Sequence, residues 1–134
     1  MSQKLDELIS DFEFLDDWEE RYRYVIELGR SLPAMDDALK TPATKVSGCA
    51  SQVWIYSTID GNHLVLQGDS DALIVKGLIA IAFLIFEPLT LAEIETVDTL
   101  AIFAKLGLKD HLTPQRSNGL ASMVARIKAD AKRG

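Results

Sequence analysis

The stretch ALIVKGLIAIAFLIF, residues 72 to 86, limits the possible folds more than any other part of this chain. A helix built from it is apolar on nearly every side, so other elements must cover both of its faces. It is shorter than the ~20 apolar residues that a membrane-spanning helix needs, and Lys76 and Gly77 interrupt it. The sequence therefore predicts a buried helix in a folded domain and no membrane partner.

Two amphipathic helices are predicted ahead of this segment. The first carries apolar residues at intervals of three and four, which place them on one stripe: Leu5, Leu8, Ile9, Phe12 and Leu15. Asp16 or Asp17 can cap the second helix, which we expect to end near Gly29. The second helix has its own apolar face: Tyr22, Val25 and Ile26.

A β-hairpin is predicted in the middle of the chain. Residues 53 to 59 are apolar, aromatic and β-branched, DGN at 60 to 62 supplies turn residues, and HLVLQ follows. Lys45 and Val46 are predicted to add a short third strand. In GDSD, residues 68 to 71, Asp69 or Ser70 offers a cap for the apolar helix.

Three further features predict that the C-terminal part is helical. Thr90 and Glu93 form a capping box, and Asp98 can cap a helix that Gly107 ends. That helix is expected to pack through Leu100, Phe103 and Leu106. After the HLTPQRSN connection, a last helix carries an apolar stripe: Leu120, Met123, Val124 and Ile127. The order of elements predicts an α+β fold in a single domain over residues 1–134.

Charge and cysteine content restrict the class of partner and the compartment. The formal net charge of -6 and the pI near 4.8 argue against a nucleic-acid partner, because backbone binding needs clustered Lys and Arg. One cysteine permits no internal disulfide and suits a reducing compartment, so we expect a cytoplasmic protein. The N-terminus lacks the pattern of a secretory signal. A lone cysteine without C-x-x-C or matching His spacing also disfavours a zinc or iron–sulfur site.

That single cysteine, Cys49, lies in a turn between two predicted strands, in the stretch KVSGCASQVWI. Its neighbours are small, so little shields the sulfur, and Gly48 permits backbone angles that other residues resist. Such a turn could move the thiol between a sheltered and an exposed position. The alternative readings are a buried apolar filler, a redox-sensing thiol, and the nucleophile of a small hydrolase or transferase.

Three other residue groups bear on these alternatives. A hydrolase needs a histidine base, and His111 is the candidate because it lies in the loop before the last helix, whereas His63 lies in the hairpin. Arg116 lies on the same Pro-containing loop, either as a solvated charge or as a cation that favours a thiolate or holds an acidic partner. Helix capping is enough to explain both Asp69 and Asp71.

Four segments together resemble the SufE family of sulfur acceptors, the SufE- and CsdE-like cysteine desulfuration proteins. The first is WEERYRYVIELGRSLP at 18 to 33, the second is the Cys49 turn, and the third is LQGDSDALIVKGLIAIAF at 66 to 83. HLTPQRSNGL at 111 to 120 is the fourth. Their order and separation along most of the chain make the resemblance more specific than the Gly-Cys pair alone.

The resemblance implies a fold and a site. The fold is a three-stranded antiparallel sheet with helices packed on one side, similar to the iron–sulfur scaffolds IscU and NifU (N-terminal domain). Cys49 would accept persulfide sulfur, stimulate the desulfurase and pass the sulfur on for iron–sulfur cluster assembly. Arg116 and Asp71 match family positions linked to desulfurase docking. The same partner-binding role is expected of the residues beside the cysteine: Gly48, Ser51 and Gln52.

The implied partners are a cysteine desulfurase of the SufS or CsdA type and a downstream sulfur recipient or cluster scaffold. No cofactor is expected on this chain, because pyridoxal phosphate belongs to the desulfurase. With one cysteine the protein should not assemble a cluster alone. The sequence leaves open which desulfurase and which recipient it serves, the oligomeric state including a homodimer, the resting position of the Cys49 turn, and the role of His111.

Overall fold

The computed structural model describes residues 3–133, apart from the side chains at positions 109 and 110. Two helices and a 3₁₀ turn come first in that range, a β-hairpin follows, and five helices come last, in an α+β arrangement. In chain order they are α1 Gln3–Phe14, α2 Trp18–Ser31, a 3₁₀ turn Asp37–Leu39, β1 Val53–Asp60, β2 His63–Ser70, α3 Leu73–Phe86, α4 Leu91–Thr96, α5 Thr99–Lys105, α6 Leu108–His111 and α7 Pro114–Lys132.

Helix α3 is the centre of the core, as its apolar sequence predicts. Helix α2 packs along it on one side, and β2, α7 and α1 contact its other sides. All but three of its residues are buried, the exceptions being Leu73, Lys76 and Leu84. In the described range, no helix combines the length and the hydropathy needed to span a bilayer. The prediction of a helix covered on both faces is confirmed.

Two glycines let α2 and α3 approach closely. A Cβ on Gly77 would lie 2.1 Å from the carbonyl oxygen of Val25, and a Cβ on Gly29 would lie 2.7 Å from the backbone nitrogen of Gly77. Both separations are shorter than any real contact of a Cβ atom. The prediction that α2 ends near Gly29 is imprecise, since the helix continues to Ser31. Gly29 is buried inside it because of this packing rather than to terminate it.

The hairpin forms as predicted, but the sheet has two strands rather than three. β1 and β2 pair antiparallel from Val53 opposite Ser70 to Asp60 opposite His63. Lys45 contributes only an isolated bridge to Trp54. A hydrogen-bonded turn over residues 41–44 precedes Lys45, and another turn begins at residue 47. These two turns leave too short an extended segment for a third strand.

The ends of α3 and α5 differ in part from the sequence prediction. β2 runs through Ser70, so Asp69 and Ser70 belong to a strand, and the residue that precedes α3 is Ala72, which makes no side-chain cap. The capping box of Thr90 is present in α4. Asp98 caps α5, as predicted. Leu100, however, is 75% exposed instead of packed.

The connection before the last helix is itself mostly helical. Gly107 ends α5 with φ at 70°, and the short helix α6 follows it directly. The side chain of Thr113 then accepts a hydrogen bond from the backbone N–H of Arg116, and Pro114 occupies the first turn. Thr followed by Pro is a common helix start, because proline has no N–H to satisfy there. Arg116 therefore lies in the first turn of α7, and its predicted place in a loop is wrong.

Candidate functional site

Cys49 lies in the loop of residues 47–52, which we call the Cys49 loop; it connects the Lys45 bridge to β1. The loop turns at Gly48, which has φ at +86°. A Cβ at that position would also lie 2.6 Å from the hydroxyl oxygen of Ser122 in α7. Both the positive φ and the close approach favour glycine at this turn.

Hydrogen bonds fix both ends of the Cys49 loop. The backbone N–H of Val46 donates to the carbonyl of Val53 at 2.8 Å, which joins the residues on either side of the loop. At the C-terminal end, the backbone N–H of Gln52 donates to the Asp71 carboxylate at 3.0 Å. The backbone carbonyl of Gln52 accepts a hydrogen bond from the buried Ser70 hydroxyl at 2.6 Å. Asp71 is thus an anchor of the loop, and its predicted role as a helix cap is wrong.

The thiol of Cys49 is half-buried against α7. Its Sγ donates a weak hydrogen bond to the carbonyl oxygen of Gly119 at 3.7 Å. Burial raises the pKa of the Cys49 thiol above its usual value, because desolvation disfavours the charged form. At neutral pH the resting side chain is therefore protonated and a poor nucleophile.

A small cavity of about 40 Å³ adjoins the sulfur. It is lined by the loop, by α3 and by the first turns of α7: Cys49, Ala50, Ser51, Val75, Leu78, Gln115, Arg116, Gly119 and Met123. A Cβ on Gly119 would lie 3.6 Å from Sγ, so a larger side chain there would fill the space beside the sulfur. The sequence alone does not indicate this role of Gly119, although a glycine in the middle of a helical stretch is an unusual choice.

Arg116 lies at the rim of this cavity, half-buried, and so it is brought together with Cys49. One of its guanidinium nitrogens, Nη1, donates a hydrogen bond to the hydroxyl of Tyr22 in α2. Tyr22 is predicted only as part of the apolar face of α2, with no role at the site. No sequence pattern could have indicated the pair, because the two residues are 94 positions apart.

Neither histidine lies beside Cys49. His111 is exposed in α6, where its ring stacks on Trp18 with centroids 4.2 Å apart. His63 places Nδ1 2.9 Å from the carbonyl oxygen of Leu89. Neither ring lines the cavity at the sulfur. The expectation that His111 approaches Cys49 is not met, so the hydrolase alternative lacks its base in this arrangement.

A metal centre and a larger cleft are the alternatives to the Cys49 cavity. Among the described side chains, no cluster of His, Cys, Asp and Glu is arranged to hold a metal ion. A cleft of about 390 Å³ lies between α5 and α7 and is larger than the cavity at Cys49. Its lining is mostly aliphatic and includes no thiol, carboxylate or imidazole. The chemistry of the described residues therefore points to Cys49.

Comparisons with known proteins find a family match over nearly the whole chain. Residues 6–131 match the family model described as "SufE: Fe-S metabolism associated domain". A protein of Rhizobium meliloti (strain 1021), named as an uncharacterized SufE-like protein, is 52% identical over 132 residues, covering 96% of this chain and 94% of the relative. A SufE-like protein of Rhizobium etli, also named as uncharacterized, is 51% identical, with 96% and 89% covered.

A solved structure is similar in fold. The solution structure of a hypothetical protein from Thermus thermophilus superposes with a TM-score of 0.78, covering 97% of this chain and 94% of the other. The two chains are 20% identical, so the likeness speaks for the fold alone.

Proposed function

The chain belongs to the SufE family, and from that premise we propose that it accepts sulfur from the persulfide of a cysteine desulfurase onto Cys49. In doing so it stimulates the desulfurase, and it then passes the sulfur to a recipient or scaffold in iron–sulfur cluster assembly. The protein needs no cofactor for this role, because the pyridoxal phosphate that releases sulfur from cysteine belongs to the partner. A reducing compartment such as the cytoplasm suits a carrier with one free thiol.

The observation that carries the proposal is the placement of the only thiol. Cys49 lies on a short loop with both ends fixed, and its sulfur rests beside a cavity of about 40 Å³. A cavity needs only about 10–15 Å³ of such space to hold one water molecule, so this one has room for at least one further atom. That space is large enough to receive a second sulfur bound to Sγ.

The proposed transfer is a thiol–disulfide type of substitution. The Cys49 thiolate attacks the terminal sulfur of the donor persulfide, a new S–S bond forms at Cys49, and the old S–S bond breaks. The donor cysteine leaves as a thiolate with the electron pair of that bond. No external oxidant or reductant is consumed, because the sulfane sulfur keeps its oxidation state while it changes partner.

The raised pKa of the resting thiol supports a carrier that works in two positions. In the sheltered position Cys49 is protonated, which limits its oxidation and its reaction with other thiols. When the loop extends into the site of a docked donor, the sulfur leaves the desolvating contact with α7. Its pKa then falls toward the ordinary value, and more of the nucleophilic thiolate forms. Reactivity is thus coupled to docking.

The test is to incubate the protein with a cysteine desulfurase and cysteine, and to measure both the rate of alanine formation and the intact mass of the protein. We expect faster turnover of the desulfurase and a mass increase of one or more sulfur atoms, located by peptide mapping at Cys49. A protein that gains no sulfur and leaves the desulfurase rate unchanged would contradict the proposed function.

Arg116→Ala should weaken the response to the desulfurase. The guanidinium lies at the rim of the Cys49 cavity, half-buried and without a carboxylate partner in the described structure, so it is available to a docking protein. We expect the concentration of protein giving half-maximal stimulation to rise by about tenfold, which corresponds to about 1.4 kcal/mol.

Arg23→Ala is the matched control, because Arg23 also lies on the surface but pairs only with Glu19 within α2. It should titrate the desulfurase like the wild type. If Arg116→Ala also behaves like the wild type, Arg116 is an ordinary surface charge.

A further inference from the structure

Charge is distributed unevenly along the chain. The chain has a net charge of -6, and residues 3–31 carry nine Asp and Glu against four Lys and Arg. Residues 114–133, which include all of α7, carry five Arg and Lys against one Asp. Residues 32–113 carry ten Asp and Glu against five Lys and Arg, so the acidic excess is spread over the rest of the chain, whereas the helix packed against Cys49 is basic.

A shallow depression adjoins the start of the Cys49 loop. We call it the Lys45 depression; it has a volume of about 380 Å³. Six residues line it: Lys45, Val46, Ser47, Ser122, Ala125 and Arg126. Two of them are cationic, two bear hydroxyl groups and none is acidic. Such a lining complements a carboxylate.

Both cations of the Lys45 depression are attached to fixed parts of the fold. The backbone of Lys45 bridges to Trp54, next to the buried Val46, while its side chain is exposed and makes no ion pair within the described residues. The guanidinium of Arg126 bonds to the carbonyl of Ala43 and to Asp130. Asp130 is buried and pairs with both Arg126 and Arg133, so two guanidinium groups share one carboxylate and positive charge remains. The Arg126 guanidinium is therefore already positioned, whereas the Lys45 side chain becomes ordered when a partner binds.

The floor of the Lys45 depression allows a second chain to come close. Ser122 and Ala125 have small side chains on the surface of α7, and Ser47, at the edge, begins the Cys49 loop. Arg116 lies at the rim of the cavity beside Cys49. Cationic groups therefore lie near the start of the Cys49 loop and beside its sulfur, whereas Asp71 holds its other end.

We propose that the Lys45 depression binds an acidic segment of the sulfur-donating protein and so guides that protein onto the Cys49 loop. The inference rests on the proposed function and adds the chemistry of the docking partner. Complementary charges at the edge of an interface mainly raise the association rate and set the preferred orientation. Nucleic acid does not suit this surface, because the acidic remainder of the molecule repels phosphates.

The test uses Lys45→Glu and a cysteine desulfurase that the wild-type chain stimulates. Lys4→Glu is the matched control: it makes the same change in net charge at an exposed position on α1, on the acidic part of the molecule. At about 0.1 M salt we expect Lys45→Glu to need about tenfold more protein for half-maximal stimulation, whereas Lys4→Glu stays within about twofold of the wild type. A separate variant, Lys45→Arg, keeps the positive charge and should titrate the desulfurase like the wild type.

Salt dependence provides a readout that misfolding would not reproduce. Between about 0.1 M and 1 M salt the Debye length falls from about 10 Å to about 3 Å, so the gap between Lys45→Glu and the control should narrow strongly. Equal titration by the two Glu variants at low salt would overturn this inference while the proposed function still held. A wild-type chain that neither stimulates a desulfurase nor gains sulfur would contradict both.

A second copy of this chain is the competing occupant, because its acidic α1–α2 surface also complements the depression. Light scattering at low salt distinguishes the two cases. We expect the wild type and Lys45→Glu to have the same mass in solution. A wild-type dimer that Lys45→Glu dissociates would assign the depression to self-association and overturn the proposal.

Discussion

Cys49→Ser should fold like the wild type and accept no sulfur from a cysteine desulfurase. A serine hydroxyl cannot form a persulfide, and Cys49 is the only cysteine in the chain, so no other thiol can replace it. The half-buried side chain makes only one weak hydrogen bond, to Gly119, and serine has nearly the same size. We therefore expect the free energy of unfolding to change by no more than about 1 kcal/mol. Intact mass spectrometry after incubation with a desulfurase and cysteine measures the first effect, and denaturant unfolding measures the second.

A sulfur adduct that survives in Cys49→Ser would remove Cys49 from the proposed role. The same mass measurement on the wild type separates the carrier from the redox-sensing alternative. A carrier gains sulfur atoms alone, whereas a redox sensor forms a mixed disulfide and gains the mass of the whole thiol partner. Activity toward small thiol esters or amides in the absence of a desulfurase would instead favour the hydrolase alternative.

Gly77→Ala should destabilise the fold severely. Replacing an ordinary helical glycine by alanine stabilises a helix by up to about 1 kcal/mol. Here the new Cβ would lie 2.1 Å from a backbone carbonyl of α2, so α2 and α3 must move apart along the centre of the core. Overpacking commonly costs about 1–3 kcal/mol, and because backbone has to move we expect a loss of about 3 kcal/mol or more. That is a large share of the ~5–15 kcal/mol that stabilises a typical domain. Urea unfolding measures it.

Gly61→Ala is the control for a glycine outside the core. Gly61 has φ at +62° in the hairpin turn, and nothing lies within 4 Å of an added Cβ. The expected loss is only the backbone cost of a left-handed residue, about 1–2 kcal/mol. Gly77→Ala with the stability of the wild type would mean that α2 and α3 do not approach as closely as described.

The parts of the fold that depend on local sequence could be predicted. The buried helix α3 follows from a run that is apolar apart from Lys76 and Gly77, and the caps at Thr90 and Asp98 follow from residues three positions apart. The hairpin follows from DGN between two β-branched segments. In each case the determining contacts lie within a few residues along the chain.

The features that the sequence did not predict depend on contacts between distant segments of the chain. Pairing of Lys45 with β1 is limited by turns on both sides of it, and the exposure of Leu100 depends on where α7 packs. The contact of Arg116 with Tyr22 joins α7 to α2. Cys49 itself could be singled out because it is the only thiol. Its shelter against Gly119, 70 residues away, depends on the tertiary fold.

The fixed ends of the Cys49 loop set the distance over which the sulfur can travel. Cys49 follows Val46 by three positions, and an extended chain advances at most ~3.3–3.6 Å per residue, so the Cα atom of Cys49 stays within about 10 Å of its N-terminal anchor. A donor whose persulfide lies farther inside a cleft must carry it outward on a mobile segment of its own. The distance between the donor persulfide and Cys49 is therefore covered by movements of both proteins. Inserting glycines into the Cys49 loop would increase the distance that Cys49 can move.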